Sequence, residues 1–254
     1  MIGLSYITCS DPRNDVPTDA LIDLMEIDER VELGIQCDEY SMKKGTPRHE
    51  WFEELLKKTD EKFVEPNLAL HINGAWCTDF CNGKIPPEIR GWLAAYNNTT
   101  FIQPIRRVQL NIGFNLNEIS PEGVADAIVF GGGREFIFPL NDDTEPFIRK
   151  LYEKTFRFSL LFDASYGAGM SPKKWERPIF YNIPHGYAGG LSPENVAENL
   201  AKISKAAGGW VKDDLIWIDA EGQLMKPNSR HFDVDRASAY INAALEFVKK
   251  NEGR

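Results

Sequence analysis

The segment that decides the fold runs from Gly186 to Val196 and reads GYAGGLSPENV. It begins as a short buried strand, and the strand ends in the glycine pair Gly189 and Gly190. A helix follows, with Ser192 as its predicted N-cap and Pro193 at its first helical position. Paired glycines at a strand end let a ligand approach the backbone, so we predict that Gly189 and Gly190 belong to a binding site. The alternative, which the sequence leaves open, is a helix start that needs only a tight turn.

The composition is that of an ordinary globular protein. The chain has 254 residues, of which 43% are hydrophobic and 26% are charged, so it is long enough to form a substantial core. No segment approaches the roughly 20 apolar residues of a membrane helix, and the N-terminus lacks the features of a secretory signal. The net charge of −9 argues against a nucleic-acid-binding protein. We expect neither a membrane nor a nucleic acid as partner, although a local basic cluster would still accept an anionic small molecule.

The cysteines predict neither a disulfide framework nor a metal site. Four cysteines in a chain of this length favour a reducing compartment, so we expect a cytoplasmic protein. Cys77 and Cys81 enclose three residues, and no histidine pair accompanies them at ligand spacing. We therefore expect no metal and no cofactor.

Short β-branched or aromatic runs alternate with helical patterns eight times along the chain. The predicted strands are Ile2–Thr8, Val31–Cys37, Asn67–Asn73, Arg107–Gly113, Glu135–Leu140, Ser159–Ala164, Gly186–Leu191 and Leu215–Ala220. The predicted helices, besides a poorly defined sixth one, are Thr18–Ile27, Pro47–Glu61, Pro86–Tyr96, Pro121–Phe130, Thr144–Thr155, Pro193–Ala207 and Val234–Lys250. Eight such repeats in ~250 residues predict a single-domain α/β fold, the (β/α)₈ TIM barrel. An open doubly wound sheet is disfavoured, because no Gly-x-Gly-x-x-Gly follows the first strand.

Polar residues at the C-terminal ends of the strands are the site candidates, because barrel enzymes hold their chemistry there. Asp163 ends a very apolar sixth strand, where desolvation would raise its pKa enough for general-acid catalysis; capping of backbone N–H groups is the alternative. Asp219 ends the eighth strand and either binds substrate or is a buried structural acid. Cys9 is a candidate catalytic thiol, although buried cysteines are commonly small apolar residues. His71 is expected to be structural or to contact the substrate.

Basic side chains near the predicted mouth are candidates for binding an anion. Arg48 is the best placed, at the start of the second helix on the mouth side. The further basic candidates, most of which are expected on the solvated surface, are Arg106, Arg107, Lys173, Lys174 and Arg177. The stretch Tyr166–Pro184 is rich in glycine, proline, lysine and aromatic residues, and predicts a long loop above the strand ends, with a lid as one function.

Several of these segments, in the same order along the chain, resemble phosphoribosylanthranilate isomerase, the barrel enzyme of tryptophan synthesis. Residues 188–196, AGGLSPENV, resemble the seventh-strand phosphate motif of that family almost residue for residue. The shorter matches are Gly45-Thr46-Pro47-Arg48 after strand two, Val108-Gln109-Leu110 in strand four, Leu161-Phe162-Asp163 with Gly167-Ala168-Gly169 at strand six, and Ile218-Asp219 with Gly222 at strand eight.

The resemblance implies a barrel that opens the ribose ring of an N-glycosylamine by acid/base isomerisation, acting on a small phosphorylated and therefore anionic substrate. It implies that Asp163 is the general acid. The family's strand-one base is a cysteine, and the ungapped match places Ser5 there, with Cys9 as a substitute in a shifted register. Together, the strand ends and the resemblance predict a substrate-binding set of Arg48, His71, Gln109, Gly189, Gly190, Asp219 and Gly222.

The chain departs from the family pattern at two positions. Ser5 is a very weak base, and the carboxylate of Glu221 would repel a phosphate at the eighth strand. Two other functions therefore stay open. One is a barrel that binds a small ligand or a partner without catalysis. The other is lyase or hydrolase chemistry that uses Asp163 and Asp219 with Glu221.

Overall fold

The computed structural model describes residues 3–94, 103–163, 170–208 and 215–251. Its eight strands form a closed parallel barrel in which each strand pairs with the next and the eighth pairs with the first. The strands are β1 (Gly3–Ser10), β2 (Val31–Cys37), β3 (Leu68–Ile72), β4 (Ile105–Leu110), β5 (Glu135–Leu140), β6 (Ser159–Asp163), β7 (His185–Ala188) and β8 (Leu215–Ala220). The predicted TIM barrel is confirmed.

Eight α-helices of the described ranges surround the strands. They are α1 (Thr18–Met25), α2 (Pro47–Glu61), α3 (Gly74–Cys81), α4 (Pro87–Ala94), α5 (Pro121–Phe130), α6 (Glu145–Tyr152), α7 (Val196–Ala207) and α8 (Val234–Asn251). The predicted positions Ile2, Tyr96 and Ala164, like the glycine loop Gly167–Gly169, lie outside the described residues. None of the described helices combines the length and apolar character that crossing a bilayer requires. All four cysteines are free and buried.

The first strand extends two residues beyond its predicted end at Thr8, so Cys9 and Ser10 also belong to it. Ser10 is still in register with Gly34 of β2. Because side chains alternate along a strand, Thr8 and Ser10 point inward and Cys9 points toward the helices. The hydrogen bond from Thr8 Oγ1 to the interior carboxylate of Glu32 (2.8 Å) confirms this direction.

The helix after β7 begins at Val196, three residues later than predicted. The side chain of Asn195 accounts for the difference. Its Oδ1 accepts a hydrogen bond from the Ser192 backbone N–H (2.9 Å), and its Nδ2 donates to the Gly190 carbonyl (2.8 Å). These bonds hold residues 192–195 in a turn, so Ser192 is not the N-cap of α7.

A buried arginine fills the N-terminal half of the barrel. Arg107 lies in the middle of β4, is fully buried, and places Nη1 2.9 Å from Oε1 of Glu32. Its guanidinium carbon lies 4.4 Å from the ring centroid of Tyr6 and 4.3 Å from that of Trp217. The expectation of a surface position is therefore wrong for Arg107, because strand alternation turns it inward and leaves its neighbour Arg106 exposed.

Removing the counter-ion of Arg107 should destabilise the protein strongly. Burial raises the pKa of Glu32, and the charge of Arg107 and the hydroxyl of Thr8 oppose that rise. A Glu32→Gln substitution leaves a buried cation without this partner, so we expect the free energy of unfolding to fall by about 3 kcal/mol. Urea denaturation measures the change. The matched control is Glu65→Gln, which removes the exposed partner of Arg106 and should cost less than about 1 kcal/mol. Equal losses in the two variants would contradict the role of the buried pair.

Candidate active site at the mouth of the barrel

The C-terminal ends of the strands open into a cavity of about 490 Å³. The sequence-predicted site residues that line this cavity are His71, Gln109, Asp163, Gly189, Gly190, Asp219 and Gly222. Ser5, Cys9 and Arg48 lie elsewhere, each for a different structural reason.

Ser5 lies at the opposite end of the barrel. Its Oγ donates a hydrogen bond to the Ile216 carbonyl (3.0 Å), and its side chain lines a separate cavity of about 310 Å³ together with Asn67 and Arg106. These residues stand at the N-terminal ends of their strands, whereas Asp163 stands at a C-terminal end. The geometry therefore separates Ser5 from Asp163, and the predicted pairing of the two does not form.

Cys9 is buried between the strands and the helices. It is inaccessible to solvent, belongs to the main apolar core and interacts with Tyr240 of α8. Burial raises the pKa of the Cys9 thiol far above its ordinary value. The side chain therefore has neither the position nor the thiolate character that a base at the mouth needs.

Arg48 lies beside the mouth, where it shares the carboxylate of Asp11 with Arg13. Nη2 of Arg48 donates to Oδ1 of Asp11 (2.8 Å), while Oδ2 of the same carboxylate accepts from Nε of Arg13 (2.9 Å). Asp11 is buried and adopts a left-handed backbone conformation (φ 61°) directly after β1. Neither arginine lines the cavity.

Ser10 and Asp219 form a buried pair on the cavity wall, which sequence reasoning missed. Ser10 Oγ donates to Oδ1 of Asp219 (2.6 Å) across the seam between β1 and β8. Desolvation raises the pKa of Asp219 to about 8; the hydrogen bond from Ser10 opposes the rise, and the charges of Glu221 and Asp163 add to it. Asp219 therefore holds a proton at neutral pH. The sequence feature that could have identified Ser10 was its position at the end of a strand, directly after Cys9.

A glycine beneath this pair lets a histidine approach it. A Cβ atom at Gly34 would overlap Oγ of Ser10 and would lie only 2.9 Å from Nε2 of His71. Desolvation, together with the charge of Arg107, lowers the pKa of His71 to about 3, so the imidazole is neutral at physiological pH. Its ring nitrogens make no hydrogen bond to the described part of the chain, which leaves them for a ligand.

Side-chain amides from three neighbouring strands form a continuous series of hydrogen bonds across the mouth. Gln109 donates to Asn111 (2.9 Å), Asn111 to Asn73 (2.7 Å), and Asn73 to Gln36 (2.5 Å). Gln36 in turn donates to Oε2 of Glu221 (3.3 Å). Because each amide polarises the next, the series stabilises negative charge on Glu221 and fixes the orientation of the amides.

The cavity lining is acidic. The carboxyl groups of Asp143, Asp163, Asp219 and Glu221 face it, and its described lining contains no lysine or arginine. Desolvation and repulsion from Asp11 and Asp163 raise the pKa of Glu221, although water screens part of this effect because the side chain is exposed at the rim. Asp219 and Glu221 therefore remain partly protonated near neutral pH.

The backbone conformation explains why glycines occupy both positions after β7. Gly189 and Gly190 adopt positive φ angles of 125° and 61°, which other residues rarely adopt. The Gly190 carbonyl accepts hydrogen bonds from Asn195 (2.8 Å) and from Ser171 Oγ (3.3 Å). The pair lines the cavity, and whether it also binds a ligand stays a prediction.

The described part of the predicted lid, residues 170–184, is packed against the barrel. Trp175 is buried; its Nε1 donates to Asn199 of α7 (3.1 Å), and its ring contacts that of Tyr187 edge-on with a centroid distance of 5.8 Å. Tyr187 donates to the Glu176 carbonyl (3.1 Å). This part of the loop is therefore anchored, and residues 166–169 lie outside the described residues.

Loss of the Ser10 hydroxyl should raise the pKa of Asp219 further. The hydroxyl hydrogen bond favours the ionised carboxylate, so Ser10→Ala should move the pKa upward by roughly one pH unit. Titration of the aspartate carboxyl carbons by ¹³C NMR measures it. The control is Ser159→Ala, which removes a serine–carboxylate bond to Glu135 at the N-terminal end of the barrel and should leave the pKa of Asp219 unchanged. A pKa that falls or stays constant in Ser10→Ala would rule out the proposed electrostatics.

Comparison with known proteins adds nothing to what the barrel itself shows. No protein-family model and no curated protein matches this sequence. Among solved structures, phosphoribosylanthranilate isomerase from Thermotoga maritima, as monomers generated from the dimer, matches over 95% of this chain and 99% of that chain, with 12% identity and a TM-score of 0.47. A chain of the tryptophan synthase α2β2 complex from Pyrococcus furiosus matches over 100% of both chains, with 12% identity and a TM-score of 0.42. Likeness at this level carries no argument about function, so the function has to be inferred from the site.

Proposed function

We propose that this barrel is an enzyme that catalyses acid/base isomerisation of a small, sugar-derived molecule. The observation that carries the proposal is the buried Ser10–Asp219 pair on the cavity wall. Asp219 keeps a proton at neutral pH because of its desolvation. A buried carboxylic acid in this state donates a proton to a substrate oxygen.

Asp163 is the proposed base. It lines the same cavity from the end of β6, and its charge contributes to the raised pKa of Asp219, which indicates that the two carboxyl groups interact. In the first step Asp163 takes a proton from a substrate carbon while Asp219 protonates the oxygen on the adjacent carbon. The second step returns the proton from Asp163 to that adjacent carbon, and Asp219 recovers its proton from the hydroxyl on the first carbon. The roles differ from those predicted from sequence, because Asp219 is the protonated partner.

The amide series and His71 support a hydroxyl-rich substrate. A neutral imidazole and a side-chain amide each offer both a donor and an acceptor, as a hydroxyl group does. The family resemblance implies a phosphate on the substrate as well. The charges of the described lining do not favour one, since Arg48 is paired with Asp11 and no lysine or arginine faces the cavity.

A carboxylate-based hydrolase or lyase is the second candidate. Asp219 is protonated, and other carboxyl groups share its cavity. A pair of acids with different pKa values also catalyses bond cleavage. The products distinguish the two reactions. Isomerisation conserves the composition of the substrate, whereas hydrolysis or elimination releases a fragment.

Turnover should depend on both carboxyl groups and on the proton of Asp219. The assay monitors ribose and N-ribosyl anthranilate, each with and without a 5-phosphate, in D₂O by NMR, where isomerisation introduces deuterium at carbon. We expect turnover of at least one of these, with a loss of about 10²–10⁴-fold in Asp219→Asn and in Asp163→Asn. The rate should fall as the pH rises through about 8, because Asp219 then loses its donor proton.

The matched control for this assay is Asp28→Asn, which removes a carboxylate that bonds Arg30 at the other end of the barrel. Its turnover should equal that of the unsubstituted protein. Release of anthranilate or of another fragment would identify the hydrolase or lyase. Absence of turnover with every substrate would favour a binding protein and reject the isomerase.

A further inference from the structure

We propose that the ligand of the mouth cavity is a small amino-polyol, a molecule that carries a protonated amine beside its hydroxyl groups. This inference rests on the proposed function, since it names the substrate class of the same site. It goes further because it assigns the ligand a positive charge, whereas the resemblance implies an anionic substrate.

The first argument is the acidic character of the cavity lining. Acidic residues at the ends of β6 and β8 and in the loop after β5 line it, without a lysine or arginine among the described lining residues; they are Asp163, Asp219, Glu221 and Asp143. Desolvation and repulsion from Asp11 and Asp163 raise the pKa of Glu221, and the charge of Arg13 opposes this rise only in part. A ligand that brings a positive charge relieves this repulsion and is therefore favoured.

The nearest arginines are held outside the lining. Arg13 donates to Oδ2 and Arg48 donates to Oδ1 of the buried Asp11. Moving either arginine into the cavity would break its charge-assisted hydrogen bond to this carboxylate. An anionic ligand therefore finds no available cation in the described lining.

The second argument is an unpartnered, deeply buried side chain that faces the cavity. His71 is only 2% exposed, lines the cavity and makes no ring hydrogen bond within the described chain. Gly34 provides the space in which its ring stands. A neutral imidazole presents one donor and one acceptor, and a ligand hydroxyl is the group that satisfies both.

The third argument is that the lining offers hydrogen-bond acceptors to a ligand. Gln109 is 7% exposed, and its amide nitrogen bonds Asn111, which leaves its carbonyl oxygen as an acceptor facing the cavity. With the carboxylates, this makes a surface rich in acceptors. An ammonium group supplies three donors and no acceptor, whereas an ionised phosphate supplies mainly acceptors.

An organic cation fits this cavity better than a metal ion. Within the described residues, no group of three histidine, cysteine, aspartate or glutamate side chains is placed to hold a metal. The carboxyl groups are instead distributed around a cavity of about 490 Å³, a volume that accommodates a small organic molecule.

Calorimetric titration of the whole protein with two matched series tests the inference. The first series is glucosamine, glucose and glucose 6-phosphate; the second is serinol, glycerol and glycerol 3-phosphate. We expect the amine of each series to bind at least about tenfold more tightly than its neutral counterpart, and the phosphate ester to bind most weakly. Added salt should weaken the binding of the amine and leave the binding of the neutral compound unchanged.

Substitutions of single carboxylates test which of them bind the amine. Glu221→Gln and, independently, Asp143→Asn should each lower the affinity for the amine about tenfold while the affinity for the neutral polyol stays constant. Glu65→Gln alters the net charge equally at the far end of the barrel and should leave both affinities unchanged. Circular dichroism and melting curves verify that each variant is folded.

The outcomes separate this inference from the proposed function. Tighter binding of a phosphate ester than of its amine, or no binding of either amine, overturns the inference. Turnover of neutral or phosphorylated sugars without any preference for amines also overturns it, while the isomerase stands. Preferential binding of an amine without turnover of any substrate supports the inference and rejects the isomerase.

Discussion

Arg107 carries a full positive charge at the centre of the barrel, and the arrangement of the interior follows from the need to accommodate it. Glu32 balances the charge at 2.9 Å, and the rings of Tyr6 and Trp217 cover the two faces of the guanidinium. Such a cluster is costly to desolvate and tolerates little rearrangement once it is buried. It fills the interior of the N-terminal half of the barrel, and the larger cavity lies at the C-terminal ends of the strands.

The electrostatics of the mouth depend on this buried layer. Desolvation inside the barrel, with the charge of Arg107 below, keeps His71 neutral. On the opposite wall, desolvation raises the pKa of Asp219, and the nearby charges of Glu221 and Asp163 increase it further. The interior therefore changes from a paired arginine at its base to an acidic lining at its opening.

The mouth combines an open glycine turn with acidic side chains that disfavour phosphate. Gly189 and Gly190 form the turn after β7, Glu221 directly follows β8, and Arg48 is bonded to the buried Asp11. The backbone of a site and its charges are set by different residues, so the two vary independently. A motif that matches in sequence therefore describes the shape of this site and leaves its ligand to the side chains around it.

The sequence by itself determined the barrel, because strand and helix patterns are local and eight alternations leave one favoured closed topology. It also located the strand ends, and hence Asp163, Asp219 and His71. Several pattern-based positions were wrong: Cys9 faces the helices, Arg107 faces inward, and Ser192 is not the N-cap of α7. Only the tertiary structure paired Ser10 with Asp219, residues 209 positions apart, and desolvated them together. Hydrogen bonds and desolvation depend on neighbours in space, which local periodicity does not contain.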